Sequence, residues 1–233
     1  MFTSSLVTFL MATLVVAAPG VVLIGDSTVT DGAGWGNGFC TDTTGLARCV
    51  NLSVSGTTTI SWQGQPQYST MLSTCKNANT FATIQFGHND QKVMDTATFA
   101  ANLESLVGKV KAAGCSPILV TSLARRTFSG STLTDILGPY SAQTIAVAKK
   151  LGLPLLPLLA DSMAYVQKLG KAQAMQFNLD YSTTNKDTTH LNALGNRYFG
   201  RIVADEVKKT VPSLAGNIVA DAALSAKIAA GTL

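Results

Sequence analysis

Val21-Val22-Leu23-Ile24, followed without a break by Gly25-Asp26-Ser27-Thr28, is the stretch on which the fold turns. Four apolar residues in a row, without polar alternation, are how a strand covered on both faces reads. The polar turn that follows is where such a strand ends. Working outward, runs of the same kind recur at Val50–Val54, Phe81–Phe86, Pro117–Thr121 and Leu153–Leu158. Longer amphipathic stretches separate the later runs. Thr98 to Ala113 places Phe99, Leu103, Leu106, Val107 and Val110 at helical spacing and stops at Gly114; Tyr140 to Leu151 stops likewise at Gly152. Asp161 is read as the cap of a helix reaching Leu169. Asn192 to Thr210 is the last main helix, ended by Pro212, and the Ala-rich tail beyond it suits one further short helix without chemistry. Strand and helix alternate throughout, which predicts an α/β fold around a five-stranded parallel sheet. With no internal repeat and no Gly/Ser linker, a single domain over residues 19–233 is expected.

Hydrophobic residues make up 46% of the 233 and charged residues 13%, a balance that buries well and excludes a disordered chain. The net charge of +4 is mild, and no Lys/Arg cluster interleaves with aromatics, which argues against a nucleic-acid partner. Leu6 to Ala17 is apolar but too short to span a bilayer, and Val15-Val16-Ala17-Ala18 offers small residues for cleavage. Residues 1–18 are therefore read as a signal peptide, although no Lys or Arg precedes the apolar run. The expectation is a secreted monomer with no membrane partner. In an oxidising compartment Cys40, Cys49, Cys75 and Cys115 form two disulfides. Of the three pairings, Cys40–Cys49 with Cys75–Cys115 is preferred, because Cys75 and Cys115 each precede neighbouring strands. No Cys-x-x-Cys or His/Cys cluster is present, so no metal site is expected.

The chemistry-bearing residues gather where strands end, which is where open parallel sheets form their sites. After Gly25-Asp26-Ser27-Thr28 come Asn51-Leu52-Ser53-Val54-Ser55-Gly56, Phe86-Gly87-His88-Asn89-Asp90, and Asp187-Thr188-Thr189-His190 in a polar loop before the last helix. A serine hydroxyl needs a neutral imidazole to take its proton, and the imidazole needs a carboxylate to fix its tautomer. Ser27, at a strand-to-helix turn, His190 and Asp187 fill these roles. Hydrogen-bond donors for a tetrahedral oxyanion are available from the Ser27 N–H, the Gly56 N–H and the Asn89 side-chain amide.

These blocks, in this order, resemble the four blocks of the SGNH (GDSL-type) hydrolases. Gly25-Asp26-Ser27-Thr28, the Gly34-Trp35-Gly36 turn, Phe86 to Asp90, and Thr121 to Phe128 with its Arg125-Arg126 pair are similar to fungal rhamnogalacturonan acetylesterases. The likeness runs from about Val21 to Pro212. It implies a flavodoxin-like three-layer α/β/α sandwich and a mechanism without metal or cofactor. Ser27 is then the nucleophile, Asp187 and His190 complete the triad, and Ser27, Gly56 and Asn89 form the oxyanion hole. The implied partner is an acetylated plant polysaccharide of the rhamnogalacturonan or pectin type.

Blander readings stand beside these. Ser27 also suits a helix cap. His88 is either a substrate contact or a structural histidine; Arg125 and Arg126 either meet an acidic sugar or sit in surface ion pairs. Asp26 and Asp90 are expected to bond local backbone. The sequon at Asn51 opens a predicted buried strand and is not expected to carry glycan. Among functions, the alternatives are acetylxylan or another carbohydrate ester, and a lipid or short-chain ester. The polar stretch Ser61–Ser69 offers no apolar lid for a lipid. From another class, there is a catalytically inactive sugar-binding or host-interaction protein.

Overall fold

In a computed structural model that describes residues 17–233, the run from Gly20 to Gly25 is the strand β1, buried along its whole length. The other strands are β2 (Arg48–Asn51), β3 (Thr80–Gln85), β4 (Ser116–Val120), β5 (Phe128–Ser129), β6 (Thr132–Leu133) and β7 (Leu155–Leu156). The helices are α1 (Gly36–Thr41), α2 (Pro66–Thr74), α3 (Thr96–Ala112), α4 (Gly138–Leu151), α5 (Leu158–Leu169), α6 (Lys171–Ala174), α7 (Ala193–Thr210), α8 (Pro212–Ala215) and α9 (Ala222–Ala230). The apolar run read as a signal peptide lies, but for Ala17, outside the described residues. No helix among the described residues is long and apolar enough to cross a membrane.

Five strands form one parallel sheet in the order β2-β1-β3-β4-β7, and β5 pairs with β6 in a separate antiparallel hairpin. The period-two geometry of β1 divides the core. Val21 and Leu23 face Phe39 of α1, Tyr165 and Val166 of α5, and Phe199 and Val203 of α7. Val22 and Ile24 face Met71 of α2, Phe99, Leu103 and Leu106 of α3, and Val147 of α4. The result is three layers, α/β/α. The disulfides are Cys40–Cys49 and Cys75–Cys115, the expected pairing, and the second joins the segments that lead into the neighbouring strands β3 and β4.

Several predicted boundaries move, each for a physical reason. β7 is two residues long rather than six because Pro154 and Pro157 flank it and neither carries an N–H for the ladder. α5 begins directly after Pro157, so Asp161 lies within its first turn instead of capping it. β2 ends at Asn51 where a run to Val54 was expected. The Asn51 side chain donates to Val29 O at 2.7 Å and accepts from Ser53 N at 3.2 Å, while the Leu52 and Val54 N–H groups still bond along β1. Asp95 and Asn192 cap α3 and α7 with side-chain oxygens. The Ala-rich tail forms α9 as expected, with α8 added before it. It is pinned by Arg201, whose guanidinium reaches Val219 O and Asp205 at 2.7 Å each.

One close approach sets the position of the last helix. A Cβ on Gly200 of α7 would lie 2.5 Å from the Gly38 carbonyl carbon of α1, so only glycine lets these helices touch. Asn196 donates to Gly34 O across the same contact at 2.5 Å. The loop preceding α7 is thereby held over the carboxyl end of β1.

Candidate active site

Gly25 ends β1, and the chain turns through Asp26, Ser27 and Thr28 with Val29 N–H bonding Asp26 O at 3.1 Å. The helix expected directly after this turn starts only at Gly36, so Ser27 opens a turn and caps no helix. A buried relay fixes the turn from below. Trp35 Nε1–H donates to Gln85 Oε1 at 2.7 Å, Gln85 Nε2 to Thr28 Oγ1 at 2.6 Å, and Thr28 Oγ1 to Asp26 Oδ1 at 2.7 Å. Thr28 N–H adds a second bond to the same Asp26 oxygen, as local-backbone bonding by Asp26 requires. Burial pushes the Asp26 carboxyl up to about 6, against the pull of the Thr28 donors. Ser27 itself remains 8% exposed.

The loop from Asp180 to His190 brings the other two groups to Ser27. His190 Nε2 lies 2.8 Å from Ser27 Oγ, and His190 Nδ1 lies 2.8 Å from Asp187 Oδ2. Because a carboxylate only accepts, the imidazole proton sits on Nδ1 and the Nε2 lone pair faces the hydroxyl. Asp187 Oδ1 accepts from Thr189 N–H at 3.0 Å and His190 N–H at 2.9 Å. Burial works to raise the Asp187 pKa. These backbone donors and the His190 ring outweigh it and hold the carboxyl below its ordinary range.

Arg126 is where a sequence-based expectation fails. The sequence pairs it with Arg125 as a candidate substrate contact, but it is wholly buried and stands outside the lining of the Ser27 cavity. Its guanidinium instead donates to His190 O at 2.6 Å and to Asn178 Oδ1 at 2.7 Å, bracing the loop from behind. Burial pulls its pKa down to about 9, with Asp187 and Asp180 opposing. Asp180 is a second brace that sequence reading missed: its carboxylate accepts from Lys186 N–H at 2.7 Å and Asp187 N–H at 2.9 Å. An acidic residue seven positions before the Asp of an Asp-x-x-His loop is a signal only once the loop's fold is known.

Gly56, Asn89 and His88 line the same cavity as Ser27 and His190, about 490 Å³ in volume. Gly56 adopts φ +78°, a conformation that favours glycine, at the turn after β2. Among the described residues, neither the Ser27 nor the Gly56 N–H has a hydrogen-bond acceptor. Asn89 Nδ2 donates one of its two hydrogens to Thr57 O at 3.0 Å. Asp90 locks this block to the neighbouring loop, accepting from Thr59 N–H and Oγ1–H and from Gly87 N–H. Its role is therefore wider than the local bonding expected. His88 is 2% exposed, and its Nε2–H donates to Leu123 O at 2.9 Å. Burial, then the nearby Arg125 charge, depress its pKa to about 3, so it is neutral. Arg125 and Lys92 supply the charge of the cavity lining, which among the described residues includes no carboxylate. Arg125 is half-buried, and its Nε has no partner among the described residues.

An imidazole oriented by a carboxylate can deprotonate the hydroxyl aligned with it, and the free N–H groups that face the hydroxyl can hold an oxyanion beside it. The comparisons with known proteins agree with this chemistry. A protein named rhamnogalacturonan acetylesterase RhgT, from Bacillus subtilis, is 27% identical over 208 residues, covering 81% of this chain and 89% of that one. The probable rhamnogalacturonan acetylesterase YesY of the same organism is 20% identical, with 85% and 97% covered. Among solved structures, YxiM of Bacillus subtilis superposes with a TM-score of 0.72 at 23% identity. It covers 83% of this chain, which spans only 57% of that structure. An acetyl xylan esterase, AlAXEase, gives 0.58 at 20% identity, covering 81% of this chain and 99% of that one. These structural likenesses speak for the fold. The profile of the GDSL-like lipase/acylhydrolase family matches residues 23–198, from the second half of β1 into α7, and the chain belongs to that family.

Proposed function

We propose that this protein is a secreted serine acetylesterase that removes acetyl groups from an acidic plant polysaccharide of the rhamnogalacturonan type. The unbroken hydrogen-bonded chain Ser27–His190–Asp187 is the observation that carries the reading. Ser27 Oγ attacks the acetyl carbonyl while His190 Nε2 takes the hydroxyl proton; the Asp187 carboxylate supports the imidazolium that results. The Ser27 and Gly56 N–H groups and Asn89 Nδ2–H stabilise the tetrahedral oxyanion, a donor being worth ~3 kcal/mol. His190 then protonates the departing sugar oxygen, leaving Ser27 acetylated. Water, deprotonated by His190, attacks the acetyl-enzyme and releases acetate and free Ser27. Every step uses side chains and backbone N–H groups of this chain, with water as the second nucleophile.

The substrate reading rests on Arg125. A half-buried guanidinium beside the nucleophile, with Lys92 also in the lining and no carboxylate there, suits a sugar acid. The rhamnogalacturonan acetylesterase relatives support the same choice. Secretion is supported by the two disulfides. The test compares acetate release from acetylated rhamnogalacturonan and from acetylxylan at low and molar salt. The acidic polymer is preferred, and the preference shrinks as screening shortens to ~3 Å at 1 M. Arg125→Gln lowers turnover of the acidic polymer while p-nitrophenyl acetate hydrolysis falls far less. Equal release from both polymers without salt dependence moves the substrate to acetylxylan and leaves the esterase standing.

A further inference from the structure

After β3 the chain passes Gly87, whose φ of +126° requires glycine, and closes a single 3₁₀ turn over Asp90–Lys92 with Asn89 at its head. In a 3₁₀ turn residues three apart eclipse one another. Lys92 therefore reaches back over the turn, and its ammonium donates to Asn89 Oδ1 at 3.0 Å. On the other side, Asn89 Nδ2 donates to Thr57 O at 3.0 Å. These two partners leave no ambiguity about which end of the amide is which, since an ammonium only donates and a carbonyl only accepts. One Nδ2 hydrogen is used by Thr57, and the other is left for the cavity that Ser27, Gly56 and His190 line. Lys92 lines that cavity as well, and its charge sits on the carbonyl end of the amide.

We propose that Lys92 is a positioning residue of the oxyanion hole, acting through Asn89. The inference rests on the esterase reading and deepens it. Two physical effects combine. An Asn amide rotates about a broad, two-fold torsion, and clamping its oxygen and one hydrogen fixes the direction of the remaining N–H. An ammonium on Oδ1 also draws electron density from the amide, which makes its N–H a stronger donor when negative charge develops on the substrate oxygen. Both effects strengthen a contact that is fully used only in the transition state. They appear in kcat and not in KM. Any part Lys92 plays in holding an acidic polymer shows instead in KM for that polymer and leaves a neutral ester untouched.

The experiment uses p-nitrophenyl acetate, a neutral ester without a polymer to bind. Removing an oxyanion donor outright costs ~10²–10³ in kcat, so weakening one through its anchor is expected to cost about tenfold. Lys92→Met, which keeps length and loses charge, lowers kcat about tenfold with KM within about twofold, and Lys92→Arg recovers most of the loss. In an Asn89→Ala background Lys92→Met causes no further loss, because the two act as one unit. An independent reading comes from the Asn89 side-chain amide resonances, assigned by their disappearance in Asn89→Ala. These shift in Lys92→Met whether or not any ester is turned over. The inference is overturned if kcat is unchanged in Lys92→Met, if KM alone rises, if the full loss persists without Asn89, or if the Asn89 resonances do not move. A wild-type protein that hydrolyses no ester sinks the esterase reading instead, and the resonances still decide whether Lys92 holds Asn89.

Discussion

The Ser27, His190 and Asp187 side chains meet at two 2.8 Å contacts, yet the three do not share a burden equally. In the proposed mechanism Ser27 supplies the electron pair and His190 moves the proton, while Asp187 sets the tautomer and supports a transient charge. The braces around Asp187 reinforce that division, because Arg126 and Asp180 hold the loop through its backbone even when the Asp187 carboxylate is altered. Ser27→Ala is expected to abolish hydrolysis in a protein that keeps its far-UV dichroism and melting temperature, a loss on the order of 10⁶. His190→Ala follows close behind. Asp187→Asn falls less far than His190→Ala, with kcat on p-nitrophenyl acetate as the measure. More than a few percent activity in Ser27→Ala contradicts the nucleophile, and an Asp187→Asn variant equal to wild type contradicts the loop geometry. These residues were legible in the sequence because each carries a chemical signature at a strand end or in a short polar loop. Lys92, Asp180 and the bracing role of Arg126 were not, since each acts across a fold that had first to bring its partner into place.

Among the elements, α5, α7 and α9 enclose a second cavity of about 310 Å³, lined by Asp161, Tyr165, Ile202, Glu206 and Ile228 among others. Glu206 is 6% exposed on α7 and faces Asp161 of α5. Burial, then the neighbouring Asp161 carboxyl, push the Glu206 carboxyl up to about 9 from an ordinary 4.5, and neither Glu206 oxygen has a hydrogen-bond partner among the described residues. The folded chain thus keeps a proton that the unfolded chain gives up above pH ~4.5, and stability falls as pH rises from there towards 9. The slope reaches about 1.4 kcal/mol per pH unit. Glu206→Gln keeps the shape and removes the titration. Its melting temperature is expected to exceed wild type at pH 8 and to match it near pH 4.5; parallel curves across that range would show that Glu206 does not titrate this way. At the same scale, α7 was readable because its apolar residues recur on one face, and α4 because Gly152 ends it in a left-handed conformation. By contrast, α2 is polar except for Tyr68, Met71 and Leu72, an apolar stripe too short for the sequence to mark a helix. β7 was read as six residues because apolar character runs through its two prolines, and hydropathy does not register a missing N–H.

Across the whole molecule, the two disulfides constrain the chain on different length scales. Cys40–Cys49 spans nine positions between α1 and β2, while Cys75–Cys115 spans forty and closes a loop containing β3 and α3. Cys75 precedes β3 and Cys115 precedes β4, so this second bridge lies at the amino ends of the strands, whereas Ser27 and Asn89 follow the carboxyl ends of β1 and β3. A cross-link removes conformational freedom from the unfolded chain roughly as the logarithm of the loop it closes. That relation gives ~4 kcal/mol for the longer loop and ~2.7 kcal/mol for the shorter. For a chain of this size each kcal/mol moves the melting temperature by about 2–4 °C. Replacing Cys75 and Cys115 together by Ala is therefore expected to lower it by about 8–16 °C, and replacing Cys40 and Cys49 by roughly two-thirds of that. Since the longer bridge stands at the opposite edge of the sheet from Ser27, kcat at 25 °C on p-nitrophenyl acetate should hold in the Cys75/Cys115 variant while its melting temperature falls. Calorimetry of both variants, read beside their turnover, decides the matter. A larger destabilisation from the short bridge would mean that local packing at α1, and not chain entropy, sets its contribution. A Cys75/Cys115 variant that stays folded at 25 °C but loses turnover would show that the amino edge of the sheet reaches the site through β3.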